Sequence, residues 1–197
     1  MKFICIILAR KNSKRIKNKN IKILNDRHLI EWTIDFAKQI NIFKNIILST
    51  DSHLIREIGL KKFIECKKLR RGDLAKDDTK SIDVVFEIIK NIEKTKNFIL
   101  LQPTSPFRSK QDILKAIQVY KSTKKNIYSA YFEKKISKVI PNGNFYIFSK
   151  KELIETGSFI SDDTLPYLQR GHYNTDIDIL GDFQKASMIS KQKCFNY

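Results

Sequence analysis

The chain has 197 residues, of which 42% are hydrophobic and 30% are charged, and its net charge at pH 7 is +17. These proportions are typical of a globular domain and exclude a disordered or fibrous chain. The positive charge favours an anionic partner, but it does not choose among nucleic acid, an anionic membrane surface and a small substrate carrying phosphates or carboxylates.

The first apolar run, residues 2–9, is too short to span a bilayer. No small-residue cleavage site follows it, and the chain continues with the cations Arg10, Lys11, Lys14 and Arg15. We therefore predict a first core strand, a cytoplasmic location and no membrane partner. The lysines lack the aromatic interleaving of nucleic-acid readers, so we also expect no nucleic-acid partner.

Short apolar runs alternate with segments of helical period along the chain. The runs of strand length are residues 3–8, 46–48, 98–101, 127–132 and 145–148. Apolar stripes of helical spacing lie over residues 29–40, 82–92 and 113–120. Ser109, three residues before Asp112, is placed to cap the third helix, and Asp78 or Thr79 is placed to cap the second.

This alternation predicts an α/β fold with a mostly parallel sheet covered by helices on both faces. No linker of Gly, Pro or Ser divides the chain, so we expect one domain over residues 1–197. In such sheets ligands bind at the carboxyl ends of the strands. The loops that follow the strands are therefore the expected location of any chemistry.

The loop after the first strand, residues 8–20, is basic and also carries a hydroxyl at Ser13. Repeated cations, a hydroxyl and exposed backbone amides suit a triphosphate, which needs several donors at once. The alternative is a solvated basic loop, which the charge alone favours.

Two prolines stiffen the loop after the strand at 98–101. Because proline fixes the backbone, Gln102, Thr104, Ser105 and Arg108 are expected in one rigid turn at the edge of the sheet. An ordinary proline-stiffened loop before a helix explains the same residues equally well.

An acidic pair, Asp176 and Asp178, stands near the end of the chain. In an extended segment both carboxylates would lie on one side, with Ile177 directed into the core. Paired carboxylates suit Mg²⁺, which takes a few of them together with water and substrate phosphates. An isolated pair of this kind more often forms a turn or a helix cap.

Six segments, each weak alone, occur in an order typical of one family: residues 8–20, 49–51, 70–79, 102–108, 141–148 and 176–178. In this order the chain resembles the acylneuraminate cytidylyltransferases, which make CMP-sialic acid and the CMP forms of related nonulosonic acids. The resemblance covers nearly the whole chain. It implies a Rossmann-like nucleotidyltransferase that transfers CMP from CTP to the anomeric hydroxyl of a sialic-type sugar acid, with release of pyrophosphate, for surface glycan synthesis.

The resemblance also implies roles for particular residues. Nucleotide contacts fall on Leu8, Ala9, Arg10, Asn12, Ser13, Lys14, Asn20, Arg70, the stretch from Asp77 through Asp78 and Thr79 to Ser81, and Gln102. Catalytic roles fall on Arg10, Lys19 and Asp176, and Mg²⁺ is expected on Asp176 and Asp178. Acceptor contacts fall on Gln102, Thr104, Ser105 and Asn142.

The chain departs from the family pattern between residues 130 and 141, where it lacks a larger insertion. In relatives that insertion supplies dimer contacts and part of the sugar-acid pocket, including an arginine where this chain has Lys138 and Ile140. A homodimer is implied by the resemblance but weakened by this difference. The alternatives are another acidic acceptor, an inactive relative, and a basic protein that binds nucleic acid.

Overall fold

The apolar runs form one six-stranded sheet in the computed structural model, which describes residues 2–66, 68–76 and 78–192. The strands are β1 (Phe3–Leu8), β2 (Ile23–Leu24), β3 (Arg27–His28), β4 (Phe43–Ser49), β5 (Asn97–Leu101), β6 (Ile127–Glu133), β7 (Lys138–Ser149) and β8 (Leu165–Leu168). The helices are α1 (Leu29–Ile40), α2 (His53–Lys61), α3 (Ser81–Lys90), α4 (Lys110–Thr123), α5 (Lys150–Thr156) and α6 (Leu180–Gln192).

The strand order in the large sheet is β4-β1-β5-β7-β6-β8, and β2 and β3 form a separate two-stranded sheet. Strand β1 is parallel to both β4 and β5, and β6 is parallel to β8. Strand β7 runs antiparallel to β5 and to β6, between which it lies. The expected mostly parallel α/β sheet is therefore confirmed, with one antiparallel strand that the apolar pattern did not indicate.

Strand β1 is apolar along its whole length because helices cover both of its faces. Phe3, Cys5 and Ile7 belong to a core cluster with residues of α1, α2 and α4. Ile4 and Ile6 point to the other face, into a cluster with residues of α3. This central strand is consequently fixed in position, and so is the loop that leaves its carboxyl end.

Of the two helix caps predicted from the sequence, the structure confirms one and contradicts the other. The Ser109 hydroxyl accepts a hydrogen bond from the backbone N–H of Asp112 (3.1 Å), so the predicted cap of α4 is confirmed. Helix α3 begins at Ser81 with Lys80 as its N-cap, so the cap predicted at Asp78 or Thr79 is wrong. The Thr79 hydroxyl instead donates to the carbonyl of Asp73, which keeps this residue in the preceding loop.

Strands β6 and β7 form a hairpin over the stretch where the family pattern contains an insertion. Glu133 pairs with Lys138, so the turn between the strands comprises only residues 134–137. The apolar side chains of Phe132, Ile136 and Val139 are exposed on this hairpin. Within the described ranges, no helix is both long and apolar enough to cross a membrane.

Candidate active site

A cleft of about 490 Å³ opens at the carboxyl ends of β1 and β5. Because these strands are parallel neighbours, the loops that follow them leave the sheet at the same edge. Leu8 ends β1 and Gln102 directly follows β5, and both line the cleft. The rest of its wall comes from the first loop, the acidic pair, Pro103 and Thr104, and six described residues between positions 70 and 84, namely Arg70, Leu74, Lys76, Thr79, Ser81 and Val84.

Lys19 joins the first loop to the acidic segment. Its side chain is buried, and its Nζ donates to the backbone carbonyl of Ile177 (2.6 Å) and lies 3.7 Å from Oδ1 of Asp178. Burial lowers the pKa of Lys19, and the nearby carboxylate of Asp178 opposes that shift. The Asn20 side chain donates to the carbonyl of Arg10 (2.9 Å), which closes the loop on itself.

The acidic segment is anchored by its middle residue. Ile177 is fully buried in a cluster that includes Leu24 and Phe107, and its N–H donates to the carbonyl of Thr104 (2.8 Å). With Ile177 directed inward, Asp176 and Asp178 both line the cleft, as period two predicts for an extended segment. The carboxylate of Asp182 accepts from the N–H groups of Asp178 (3.0 Å) and Ile179 (2.9 Å), which fixes the end of the segment.

The two carboxylates are suited to a hard cation. Oδ1 of Asp176 is buried and has no hydrogen-bond partner among the described residues. Burial raises the pKa of Asp176, while a hydrogen bond from the Thr104 side chain opposes the increase. An unsatisfied carboxylate oxygen beside a second carboxylate fits Mg²⁺, which prefers few protein ligands and completes its shell with water and phosphate oxygens.

Arg70 lines the same cleft and is held by the end of β4. Its Nε donates to the Ser49 hydroxyl (3.1 Å), one terminal nitrogen donates to the Ser49 carbonyl (2.5 Å), and its backbone N–H donates to the carbonyl of Thr50 (2.6 Å). Burial lowers the pKa of Arg70, and the charge of Asp51 opposes that shift. Leu74 and Val84 provide apolar surface next to it.

The proline-stiffened turn presents Gln102 and Thr104 to the cleft and buries Ser105 and Arg108. The expectation that the turn presents all four side chains therefore holds for two of them. Arg108 supports the turn from inside, because its guanidinium donates to the carbonyls of Gln102 (2.5 Å) and Asn144 (3.2 Å).

Gly143 packs against the same turn from β7. Its φ angle is +69°, and a Cβ atom there would lie 2.7 Å from Oε1 of Gln102. Any side chain at this position would therefore be strained and would displace Gln102.

The cytidylyltransferase family model matches residues 4–168. The chain belongs to the cytidylyltransferase family. It is 29% identical to the N-acylneuraminate cytidylyltransferase of Escherichia coli O18:K1:H7 over 98% of this chain and 53% of that protein. It is 30% identical to the CMP-N,N'-diacetyllegionaminic acid synthase of Legionella pneumophila over 85% of this chain and 87% of that protein.

The chain thus spans about half the length of several curated relatives that it matches. A solved structure titled as CMP:2-keto-3-deoxy-manno-octonic acid synthetase complexed with CTP superimposes with a TM-score of 0.77 at 12% identity. The superposition covers 98% of this chain and 100% of that chain. At that identity the likeness establishes the shared fold, and the expected nucleotidyltransferase architecture is confirmed.

The cleft brings together most of the residues predicted from the sequence. Its lining includes Leu8, Arg10, Ser13, Lys14, Lys19, Asn20, Arg70, Thr79, Ser81, Gln102, Thr104, Asp176 and Asp178. These residues come from segments far apart in the chain, so their convergence is a product of the fold.

Five predicted residues lie outside the lining. Ala9 is buried, and its N–H donates to the carbonyl of Ser49 (3.0 Å). Asn12 and Asp78 are exposed. Ser105 and Asn142 are buried, and the Ser105 hydroxyl donates to the Asn142 carbonyl (3.3 Å).

Asp77, also predicted, lies outside the described residues.

Several cleft residues were not assigned from the sequence, namely Arg15, Ile16, Leu74, Lys76, Val84 and Pro103. Arg15 belongs to the basic stretch and could have been included on charge. Nothing in the pattern distinguished Leu74 and Val84 from other apolar residues.

Proposed function

We propose that the chain binds CTP in this cleft and transfers CMP to the anomeric hydroxyl of a nonulosonic, sialic-type sugar acid, with release of pyrophosphate. The observation that carries the proposal is the meeting of the basic first loop and the acidic pair, where Lys19 lies 3.7 Å from Asp178. The names of the E. coli and L. pneumophila relatives support this acceptor class.

The charges of the cleft support a triphosphate. Its cationic lining residues are Arg10, Lys14, Arg15, Lys19, Arg70 and Lys76, whereas its acidic ones are Asp176 and Asp178. We assign the triphosphate to Arg10, Ser13, Lys14, Lys19 and Asn20 because their donors lie on one loop. We assign the nucleoside to Arg70, Thr79, Ser81 and Gln102, beside the apolar surface of Leu74 and Val84.

In the proposed reaction the acceptor hydroxyl attacks the α-phosphorus of CTP and forms a new P–O bond, the bond to pyrophosphate breaks, and the hydroxyl proton passes to solvent. The residues of the chain contribute mainly by position and by charge, since phosphoryl-type transfer needs no nucleophilic side chain. Arg10, Lys14 and Lys19 would neutralise the leaving pyrophosphate. Mg²⁺, when held by Asp176 and Asp178, would neutralise further charge on the phosphate oxygens.

The proposed site for the acceptor sugar acid rests on fewer residues than the proposed CTP site. Gln102 and Thr104 line the cleft beside Asp176 and are available to a sugar acid. Ser105 and Asn142 are buried beneath this turn, so we assign them to its support. We also propose a cytoplasmic enzyme acting as a homodimer, without a nucleic-acid or membrane partner, as the sequence and the resemblance imply.

The test is a pyrophosphate-release assay with CTP, Mg²⁺ and a panel of acceptors, with detection of the CMP product by mass. We expect release with a nonulosonic acid and little with neutral sugars. Release only with a different 3-deoxy sugar acid would change the acceptor and leave the CMP transfer intact. Equal release with UTP, or none with any acid, would contradict the proposed reaction.

A further inference from the structure

The two acidic residues of the cleft have different surroundings. Oδ1 of Asp176 is buried without a hydrogen-bond partner among the described residues. Asp178 is instead faced by cations at both oxygens, with Nη1 of Arg15 at 2.7 Å from Oδ2 and Nζ of Lys19 at 3.7 Å from Oδ1. A divalent cation could therefore use Asp176 at once, whereas Oδ2 of Asp178 is already in an ion pair.

The two cations differ in how easily they can leave Asp178. Lys19 is buried, and its Nζ is tied to the carbonyl of Ile177 at 2.6 Å. The Arg15 side chain is 61% exposed, and its partner Asp178 is 55% exposed. Since exposed ion pairs contribute little free energy and are readily exchanged, Arg15 is the cation that can move.

Arg15 also has a second anion within its reach in the proposed function. It lines the same cleft as Arg10 and Lys14, where we place the triphosphate. The guanidinium geometry suits phosphate oxygens as well as it suits a carboxylate. A bound triphosphate would therefore compete with Asp178 for Arg15.

We propose that Arg15 and a divalent cation compete for the carboxylate of Asp178, and that a bound triphosphate ends the competition by attracting Arg15. This inference rests on the proposed CTP site and adds an order of binding, in which the triphosphate completes the metal site. The nucleotide-free protein holds metal weakly, and the complete metal site forms only when a triphosphate is present. Arg15 is thus a positioning residue that couples nucleotide binding to metal binding.

The first experiment measures Mn²⁺ binding to the nucleotide-free protein from the loss of the free-ion signal in electron paramagnetic resonance. We expect Arg15→Ala to bind Mn²⁺ about two- to fivefold more tightly than the wild type, the range for removal of a competing exposed ion pair. Arg15→Lys, which keeps the charge, should stay closer to the wild type.

Lys14→Ala is the matched control, because it removes one positive charge from the same cleft wall. Among the described residues, no ion pair between Lys14 and Asp178 is present, so the effect of this variant should be smaller than that of Arg15→Ala. An equal increase in Mn²⁺ affinity in the two variants would mean that only the net charge of the cleft matters, and this would overturn the proposal. Unchanged Mn²⁺ affinity in Arg15→Ala would also overturn it.

A double-mutant cycle then asks whether Arg15 acts through Asp178. In an Asp178→Asn background, Arg15→Ala should no longer tighten Mn²⁺ binding, because the competed carboxylate has gone. An undiminished effect in that background would contradict the proposal. Neither measurement uses turnover or an acceptor, so a failure here is distinguishable from a failure of CMP transfer.

The role of the triphosphate is tested without metal. Binding of CTP in the presence of EDTA should weaken about two- to fivefold in Arg15→Ala, since one exposed cation is lost from the phosphate site. CTP affinity equal to that of the wild type under these conditions would show that the triphosphate does not attract Arg15.

Discussion

The nucleotide half and the acceptor half of the cleft are built differently. The nucleotide half lies on the parallel strands β1, β4 and β5, and its predicted side chains converge on open space. The acceptor half borders β7, and there Ser105 and Asn142 are buried in hydrogen bonds with neighbouring groups. Polar residues next to a site can thus serve its chemistry or its stability. What separates the two roles is whether the side chain reaches the cleft, because Lys19 is also buried and yet lines it.

The largest effect is expected at the acidic pair. Asp176→Asn should lower kcat by about 100-fold or more, because a metal ligand contributes several kcal/mol to the transition state. The pKa of Asp176 is raised by burial, so its ionised form costs folding free energy at pH 7, and that cost is lost as the pH falls through this pKa.

Asp176→Asn should therefore leave the free energy of unfolding unchanged or raise it by about 0.5–2 kcal/mol at pH 7. Steady-state kinetics and thermal unfolding check the two effects separately. Wild-type turnover in Asp176→Asn would remove this residue from the proposed metal site.

The next effect concerns the first loop, where adjacent cations differ in placement. Arg10 lines the cleft, whereas Lys11 is exposed outside its lining. We expect Arg10→Ala to weaken CTP binding about 10- to 100-fold, since a charge-assisted hydrogen bond is lost. Lys11→Ala is the control and should change the affinity little.

Calorimetric titration of CTP at two salt concentrations measures this difference. The loss in Arg10→Ala should be smaller at high ionic strength, because salt screens the contribution of the arginine in the wild type. Equal losses in the two variants would mean that the loop acts only through its overall charge.

The next effect is smaller. It concerns the acceptor half of the cleft and is expected in the free energy of unfolding. The Asn142 amide donates to the side chains of Gln169 (3.2 Å) and Asn174 (3.1 Å). Asn142→Ala should lower the free energy of unfolding by about 1–3 kcal/mol, because buried partners lose their hydrogen bonds. Denaturant unfolding tests this, with the exposed Asn12→Ala as a control of unchanged stability. A higher acceptor KM in Asn142→Ala with unchanged stability would contradict the assignment of Asn142 to structural support.

The smallest effect is a shift in pH dependence at the boundary between the halves. The hydrogen bond from Thr104 lowers the pKa of Asp176 against the effect of burial. Thr104→Val removes that donor, so the pKa should rise further and the acid limb of kcat/KM should move to higher pH. Thr104→Ser retains a hydroxyl and should keep the limb near its wild-type position. If the acid limb of kcat/KM stays at its wild-type pH in Thr104→Val, Asp176 is excluded as the group whose titration produces that limb.

Much of the fold follows from local sequence patterns. The strand β1 and the helices α1, α3 and α4 were predicted because apolar periodicity reports burial directly. The direction of β7 could not be predicted, since an apolar run carries no information about which strands it pairs with. Helices α2 and α5 are short, and their apolar stripes were too brief to be distinguished.

The site was predictable through the order of its segments and not from any one of them. The cations of the first loop and the pair of aspartates are visible in the sequence, but local pattern alone favoured a solvated loop and a turn, and the resemblance to the family gave them their roles. Arg108 carries the same type of charge, yet it is buried and supports the backbone of Gln102 and Asn144. No local pattern distinguishes these two uses of an arginine, because they depend on contacts between segments remote in the chain.

The most direct test of the proposed CTP and metal site is a crystal structure of the protein with CTP and Mn²⁺, in which anomalous scattering locates the metal. We expect one Mn²⁺ bound by Asp176 and Asp178 and by phosphate oxygens, with the triphosphate against Arg10, Lys14 and Lys19. A nucleotide bound outside this cleft, or a metal that contacts neither aspartate, would contradict it.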